Sequence, residues 1–318
     1  MPAISASAPG KIILFGEHAV VYGRPAIAAP VTQVKARAMV TANPMASPGY
    51  VRIQAPNIGL DTDVNDLPAN HPLAIAIAEV VRFLEIHRLP ACTIRITSSI
   101  PVAAGLGSGA AVSVALIRAL TAFLGKPLDD ESVSSLAFQV EKTYHGTPSG
   151  IDNTVITYGG PIYFVRGKPV VRLPVGEPFI VVIGDTGESC PTSVTFGDVA
   201  QARRADPEAI DQEFDQIARI TEAARQAIER GETEQLGPLM MTNHQHLQKL
   251  GVSSPELDRL VEAAGQMGAL GAKLSGGGRG GNMIALVEPD RAQAIAEALT
   301  MAGAVRTIIT EIKPQGRR

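Results

Sequence analysis

Apolar positions along the chain recur at two periods, and the change between them lays out a mixed α and β protein. Residues 3–8 and 11–15 read as short apolar strands on either side of a Pro9-Gly10 break. Residues 26–41 and 51–55 are rich in Val, Ile, Ala and Thr and predict a meander, with loops at 43–49 and 56–72. Leu73, Ile77, Val80, Val81 and Leu84 share one face of a helix over 73–86, and 92–97 (CTIRIT) alternates like a half-buried strand. A small-residue helix from Ser108 to Leu124 follows a glycine-rich turn. The next helix, 130–144, has Asp129 and Asp130 as caps and a stripe of Val133, Leu136, Ala137, Val140 and Tyr144. Glu141 falls at the edge of that stripe. Residues 154–183 read as strand-rich and end in FIVVI. Beyond them come a charged amphipathic helix at 207–230, helices at 232–249, 255–268 and 290–301, and strands at 283–287 and 304–312. The change in character places a domain boundary near 180, giving domains 1–180 and 181–318 and an α+β fold class.

Composition narrows the function. With 318 residues and 45% hydrophobic content, the chain can bury a sizeable core and is not disordered. A formal charge of -3 argues against nucleic acid, and no Trp, 5 Tyr and 8 Phe supply no base-stacking platform. Cys92 and Cys190 are too few for a disulfide framework or a cysteine-rich zinc site, which suits a reducing, cytoplasmic location. The first residues lack the pattern of a signal peptide, and no apolar stretch reaches the ~20 residues of a membrane span, so no membrane partner is expected.

Four segments carry chemistry. In PVAAGLGSGAAVS (101–113), glycines at 105, 107 and 109 let backbone N–H groups converge on an anion where a helix begins, and Ser108 can cap the helix or reach a metal held by phosphates. In KLSGGGRGGNM (273–283), a G-x-G-x-x-G precedes a strand instead of a helix, so it is no dinucleotide fingerprint; it suits close approach of backbone to a ligand or another segment. In SAPGKIILFGEHAVVYG (7–23), Lys11, Glu17 and His18 interrupt an apolar run, where a charge is costly unless paired or functional. Taken singly, each is more often a surface residue at a strand end. In EKTYHGTPSGIDN (141–153), Asp152 sits in a glycine-flanked turn eleven residues after Glu141. Two carboxylates, a lysine and a serine at a helix start are the parts of a phosphoryl-transfer site. No P-loop motif and no protein-kinase signature set occur.

Together, and in this order, APGKIILFGEHAVVYGRPA, IPVAAGLGSGAA, HGTPSGIDN and GALGAKLSGGGRGG resemble the GHMP kinase superfamily over nearly the whole chain. GEHAVVYG with HGTPSGIDN is similar to the branch acting on mevalonate, as distinct from galactose or homoserine. The resemblance implies a two-domain fold, an N-terminal domain like the second domain of ribosomal protein S5 and a ferredoxin-like C-terminal domain. It implies ATP, with its phosphates on Ala104, Gly105, Leu106, Gly107, Ser108, Gly109 and Ala110, and transfer to the 5-hydroxyl of mevalonate. In that reading Asp152 is the catalytic base, and Lys11 lies beside it and keeps it ionised. Ser108 and Glu141 hold Mg²⁺, and Glu17, His18 and Ser149 line the mevalonate side with Asp152. Family habit is compatible with a homodimer. Two positions depart from the pattern. Gly109 stands where the family commonly has a second serine, and Arg279 replaces a glycine of the C-terminal loop, where it reaches a phosphate or faces solvent.

Two other readings follow from these departures. One keeps the chemistry and changes the acceptor, to phosphomevalonate or to the 3-hydroxyl of mevalonate. The other is a non-catalytic sensor of ATP and a metabolite. His244 and His246 are two apart on a predicted helix and point about 200° apart, so they are read as structural and not as metal ligands. His145 reads as a helix end or surface residue.

Overall fold

The computed structural model describes residues 3–314 other than 102, 103, 146, 147 and 189, with 144 and 145 in backbone only. Parts of two motifs, Val102, Ala103, Gly146 and Thr147, lie outside the described residues, as do the side chains of Tyr144 and His145. The chain forms two compact units: 1–10, 34–101 and 107–159 in one, and 11–33, 102–106 and 160–318 in the other. The first thus holds three stretches of chain, and β1 (Ile4–Phe15) and β2 (Ala26–Ala42) contribute to both.

In the first unit, β3 (Val51–Ala55) lies between β4 (Leu60–Asp63), which is antiparallel to it, and β5 (Cys92–Ser98), which is parallel. The second half of β2 then runs antiparallel to β5, Ala36 opposite Ser98 and Ala42 opposite Cys92. The helices α1 (Pro72–Phe83), α2 (Ser108–Phe123), α3 (Asp130–His145) and α4 (Ile151–Tyr158) pack against one another. Small residues let α2 approach its neighbours closely, and Ala111, Val114, Ala115, Leu116 and Leu120 are buried along it. Asp129 caps α3 as expected, accepting from the Ser132 N–H at 2.8 Å.

In the second unit, the start of β2 pairs with β6 (Ile162–Phe164), and β6 with β7 (Val171–Arg172). A separate antiparallel sheet has the order β11-β8-β10-β9, from β8 (Phe179–Asp185), β9 (Gly271–Ser275), β10 (Asn282–Val287) and β11 (Arg306–Ile312). Around it are α5 (Thr192–Ala205), α6 (Pro207–Arg230), α7 (Leu236–Lys249), α8 (Pro255–Gln266) and α9 (Ala292–Met301). Their core joins Phe214 and Ile217 of α6, Leu247 of α7, Leu257 and Leu260 of α8 and Leu274 of β9. Asp206 caps α6 and Ser254 caps α8, through N–H bonds from Ala209 at 3.1 Å and Leu257 at 3.3 Å.

Several expectations change. β1 is one strand, not two: among the described strands it pairs with β2 alone, and a strand open on one side tolerates the missing N–H of Pro9. The segment expected to be strand-rich from 154 begins in α4, where left-handed Gly150 and Gly159 bound the helix and packing on α2 and α3 overrides its β-branched content. Asp152 is therefore in the first turn of a helix and not in a loop. No strong hydrophobic period announces α5, and β9 is a short buried strand inside what reads as a glycine-rich loop.

Candidate active site

The N-terminal segment ends in a tight bend. At Gly16, φ is 97° and a Cβ would lie 2.4 Å from the Pro25 carbonyl, so only glycine fits. His18 follows with φ of 60°, unusual for a residue with a side chain. Lys11, Glu17 and His18 are all buried, so the bland reading of three surface residues does not hold. The Lys11 N–H donates to the Leu106 carbonyl at 3.0 Å, which ties the end of the glycine-rich turn to β1.

Glu17 is paired with Lys273 of β9, and both are fully buried. The Lys273 ammonium also donates to the Leu274 carbonyl at 2.5 Å, and Asn243 of α7 reaches the second Glu17 oxygen at 3.4 Å. Burial pulls the Lys273 ammonium below the usual lysine range, and the Glu17 carboxylate acts in the opposite direction. Removing one partner of such a pair costs about 3–5 kcal/mol, because a charge is left buried and alone.

The turn from β9 to β10 holds the same segment at further points. Ser275 Oγ accepts from the Ile13 N–H at 3.0 Å and donates to the Ile13 carbonyl at 2.9 Å. His18 Nε2 meets the Gly277 carbonyl at 3.0 Å, so Nε2 carries the proton, and the ring lies tilted on Phe196 at 4.7 Å. Asn282 donates to the Ala104 carbonyl of the candidate phosphate loop. The glycine-rich loop approaches protein backbone closely, as its composition implied: a Cβ at Gly278 would meet the Val252 carbonyl at 1.9 Å. Arg279 neither extends freely into solvent nor stands unpaired. It bonds Asp198, and its Nε donates to the Gly251 carbonyl at 3.0 Å. Lys273, Asn243, Ser275 and Asn282 were missed by sequence reasoning, although Lys273 stood between Ala272 and Leu274 as a charge in an apolar strand.

Burial holds His18 neutral, with its pKa lowered to about 4, the Gly277 hydrogen bond opposing and Arg279 adding to the shift. Because the folded value is the lower one, the unfolded chain takes up a proton first as pH falls. Stability present above pH 6.5 is lost progressively towards pH 4, by about 3 kcal/mol. Urea denaturation at pH 7.5 and 4.5 should show this loss, and His18→Gln should reduce the difference between the two pH values. An unchanged difference would mean that other groups carry it. His244, also lowered by burial, acts in the same direction.

In the first unit, Ala111 N–H to the Gly107 carbonyl, 2.9 Å, is the first helical bond of α2. The N–H groups of Ser108, Gly109 and Ala110 lie ahead of it, where a helix start favours an anion. Gly107 adopts φ of 74° to admit this geometry, and Gly109 is exposed with nothing within 4 Å of where its Cβ would be. This cradle fits phosphate. Arg118 of α2 joins the other two helices, with 2.6 Å bonds to Asp130 of α3 and to the Thr157 carbonyl of α4. Asn153 donates to the Ser134 carbonyl at 3.0 Å and its Oγ at 2.9 Å, fixing α4 on α3. These bonds set the helices that carry Ser108, Glu141 and Asp152, the last two half-buried. Ser149 Oγ accepts from the Ile151 N–H at 3.3 Å at the entry to α4. Among the described residues no three His, Cys, Asp or Glu side chains gather as a metal cluster; a hydroxyl and one carboxylate suit a Mg²⁺ that is shared with phosphates.

His244 and His246 face separate partners: His244 meets Asp258 at 3.1 Å, and His246 meets Glu213. Both cysteines are free, and burial pushes the Cys92 thiol up to about 11. Among the described residues no helix is long and apolar enough to cross a membrane.

A helix start that suits an anion, with carboxylates on the two helices packed beside it, is the set of parts that a phosphoryl-transfer enzyme uses. The N-terminal domain of GHMP kinases matches residues 73–160 and the C-terminal domain of GHMP kinases matches 224–304; the chain belongs to this family. It is 40% identical to a mevalonate kinase of Thermococcus sibiricus, over 99% of this chain and 98% of the relative. Among solved structures it is similar to L. major mevalonate kinase in complex with R-mevalonate, with a TM-score of 0.83 and 31% identity over 98% of this chain and 97% of that one. Methanococcus jannaschii mevalonate kinase also has a TM-score of 0.83, at 26% identity and 99% coverage of each chain.

Proposed function

We propose that this chain is an ATP-dependent kinase that phosphorylates the 5-hydroxyl of mevalonate. The observation that carries the reading is the burial of Lys11, Glu17 and His18, three polar side chains in an apolar segment, in a chain with full-length likeness to mevalonate kinases. ATP supplies the phosphoryl group, and Ser108 and Glu141 would hold a Mg²⁺ that offsets phosphate charge. The backbone N–H groups at 108–110 receive the phosphates. Asp152 takes the proton of the acceptor hydroxyl as the oxygen bonds to phosphorus and the bond to ADP breaks. That hydroxyl is a weak acid, so its proton leaves late, and positioning and electrostatics contribute more than base strength. Lys11 offsets the charge that develops, while Glu17, His18 and Ser149 orient the acceptor.

The test is ADP release with Mg-ATP and mevalonate, beside phosphomevalonate, homoserine and galactose, with the phosphorylated oxygen identified by ³¹P and ¹³C NMR. Phosphate on the 5-oxygen is the expected product. Phosphate on the 3-oxygen, or turnover only with another acceptor, would overturn the substrate assignment. ATP binding without any turnover would favour the sensor.

A further inference from the structure

Lys273 is a fully buried cation with no part in the chemistry described above, and its stability contribution does not account for it. An apolar side chain of similar volume on β9, with an apolar partner, would fold about as well or better, because two charges would not have to leave water. The pair instead fixes a conformation. Both oxygens of Glu17 are engaged, one by Lys273 and the other by Asn243 at 3.4 Å, so the carboxylate cannot rotate freely. The residue after it, His18, holds a φ of 60°, and such a backbone persists only where its surroundings over-determine it. Here the constraint comes from one hairpin. Lys273 grips Glu17, and four residues further the Gly277 carbonyl takes His18 Nε2 at 3.0 Å. Two buried polar atoms beside this pair, His18 Nδ1 and Asn243 Oδ1, have no hydrogen-bond partner among the described residues. Groups of this kind are costly in a core and suit a site that receives polar groups of a small molecule.

We propose that Lys273 is a positioning residue of the acceptor site: its ammonium sets the Glu17 carboxylate and the adjoining His18 backbone in the orientation that receives the acceptor. This rests on the reading that Glu17 and His18 line the acceptor side. Lys273 touches no reacting atom in this scheme and acts through Glu17.

The test is steady-state kinetics of wild type and Lys273→Gln, with the acceptor and ATP varied separately and the folded fraction measured by circular dichroism. The acceptor KM is expected to rise about tenfold or more, since small misplacements are costly in catalysis, with the KM for ATP within about twofold of wild type. A purely structural role would lower apparent kcat with the folded fraction and leave both KM values unchanged, and that result would overturn the proposal. So would an equal rise in both. If Lys273→Gln does not fold, Lys273→Arg keeps a cation opposite Glu17 and changes only its shape and reach. It should keep its KM for ATP and show the raised acceptor KM; a wild-type acceptor KM in this variant would overturn the proposal. Wild-type protein that phosphorylates none of the four acceptors would overturn the functional reading and this proposal with it. Wild-type turnover with unaltered KM values in the variants would overturn this proposal alone.

Discussion

Asp152→Ala is expected to lower phosphoryl transfer by about 10²–10⁴-fold, the range for loss of a positioned general base, with ATP affinity changed only a few-fold. The first turn of α4 is a favourable place for a carboxylate, because the free N–H groups and positive end of the helix stabilise the anion that must accept the proton. Bonds from neighbouring residues hold the scaffold. Asn153 still holds α4 to Ser134, and Arg118 still holds the Thr157 carbonyl. The loss should therefore appear in kcat from single-turnover measurements, while the folded spectrum and equilibrium nucleotide binding stay near wild type. Near-normal turnover would remove Asp152 from the role of base.

Gly237→Ala is expected to destabilise the protein by at least about 3 kcal/mol, at the upper end for overpacking. A Cβ at Gly237 would lie 2.1 Å from the Leu270 carbonyl oxygen, and one at Gly271 would lie 2.2 Å from the Gly237 carbonyl oxygen. Both obstacles are backbone, so no side-chain rotation relieves them, and α7 must move away from β9. Asn243 travels with α7 and Lys273 with β9, so the Glu17 carboxylate would lose its two-sided grip as well. Urea denaturation measures the loss; a change below about 1 kcal/mol would show that the helix can slide without cost.

The two predictions differ in how legible their sources were. Asp152 stands out as a candidate in the sequence because its motif combines a glycine turn, a serine and a carboxylate within a few residues. The helices at 207–230 and 255–266 were readable because their apolar periods and caps are local. Gly237 and Gly271 were not, because each is required by the other's backbone and neither stretch shows this alone. Asn282 and Asn243 gave no signal: an amide in a strand or helix is common, and only their partners, the Ala104 carbonyl and Glu17, distinguish them. Lys273 was different. A charge inside an apolar run marks Lys273 in GAKLS as much as it marks Lys11 and Glu17, but the glycines that follow it resemble a loop. The sequence of α4 looks like a strand because five of its eight residues, Ile151, Thr154, Val155, Ile156 and Thr157, are β-branched, and only its packing reveals the helix.

The bonds that seat the N-terminal segment have a consequence for synthesis. Glu17 is 256 residues from Lys273, Ile13 is 262 from Ser275, and His18 is 259 from Gly277. At about 5–20 residues per second, Glu17 leaves the ribosome's catalytic centre roughly ten to fifty seconds before its counter-charge exists. During that interval the carboxylate has no low-dielectric partner to bury against and must stay hydrated, so the bend at 16–18 cannot close. In a growing chain the segment at 13–18 consequently stays unseated until β9 and the turn after it have been made, and products truncated before Gly277, however much of the first unit they fold, lack that seating.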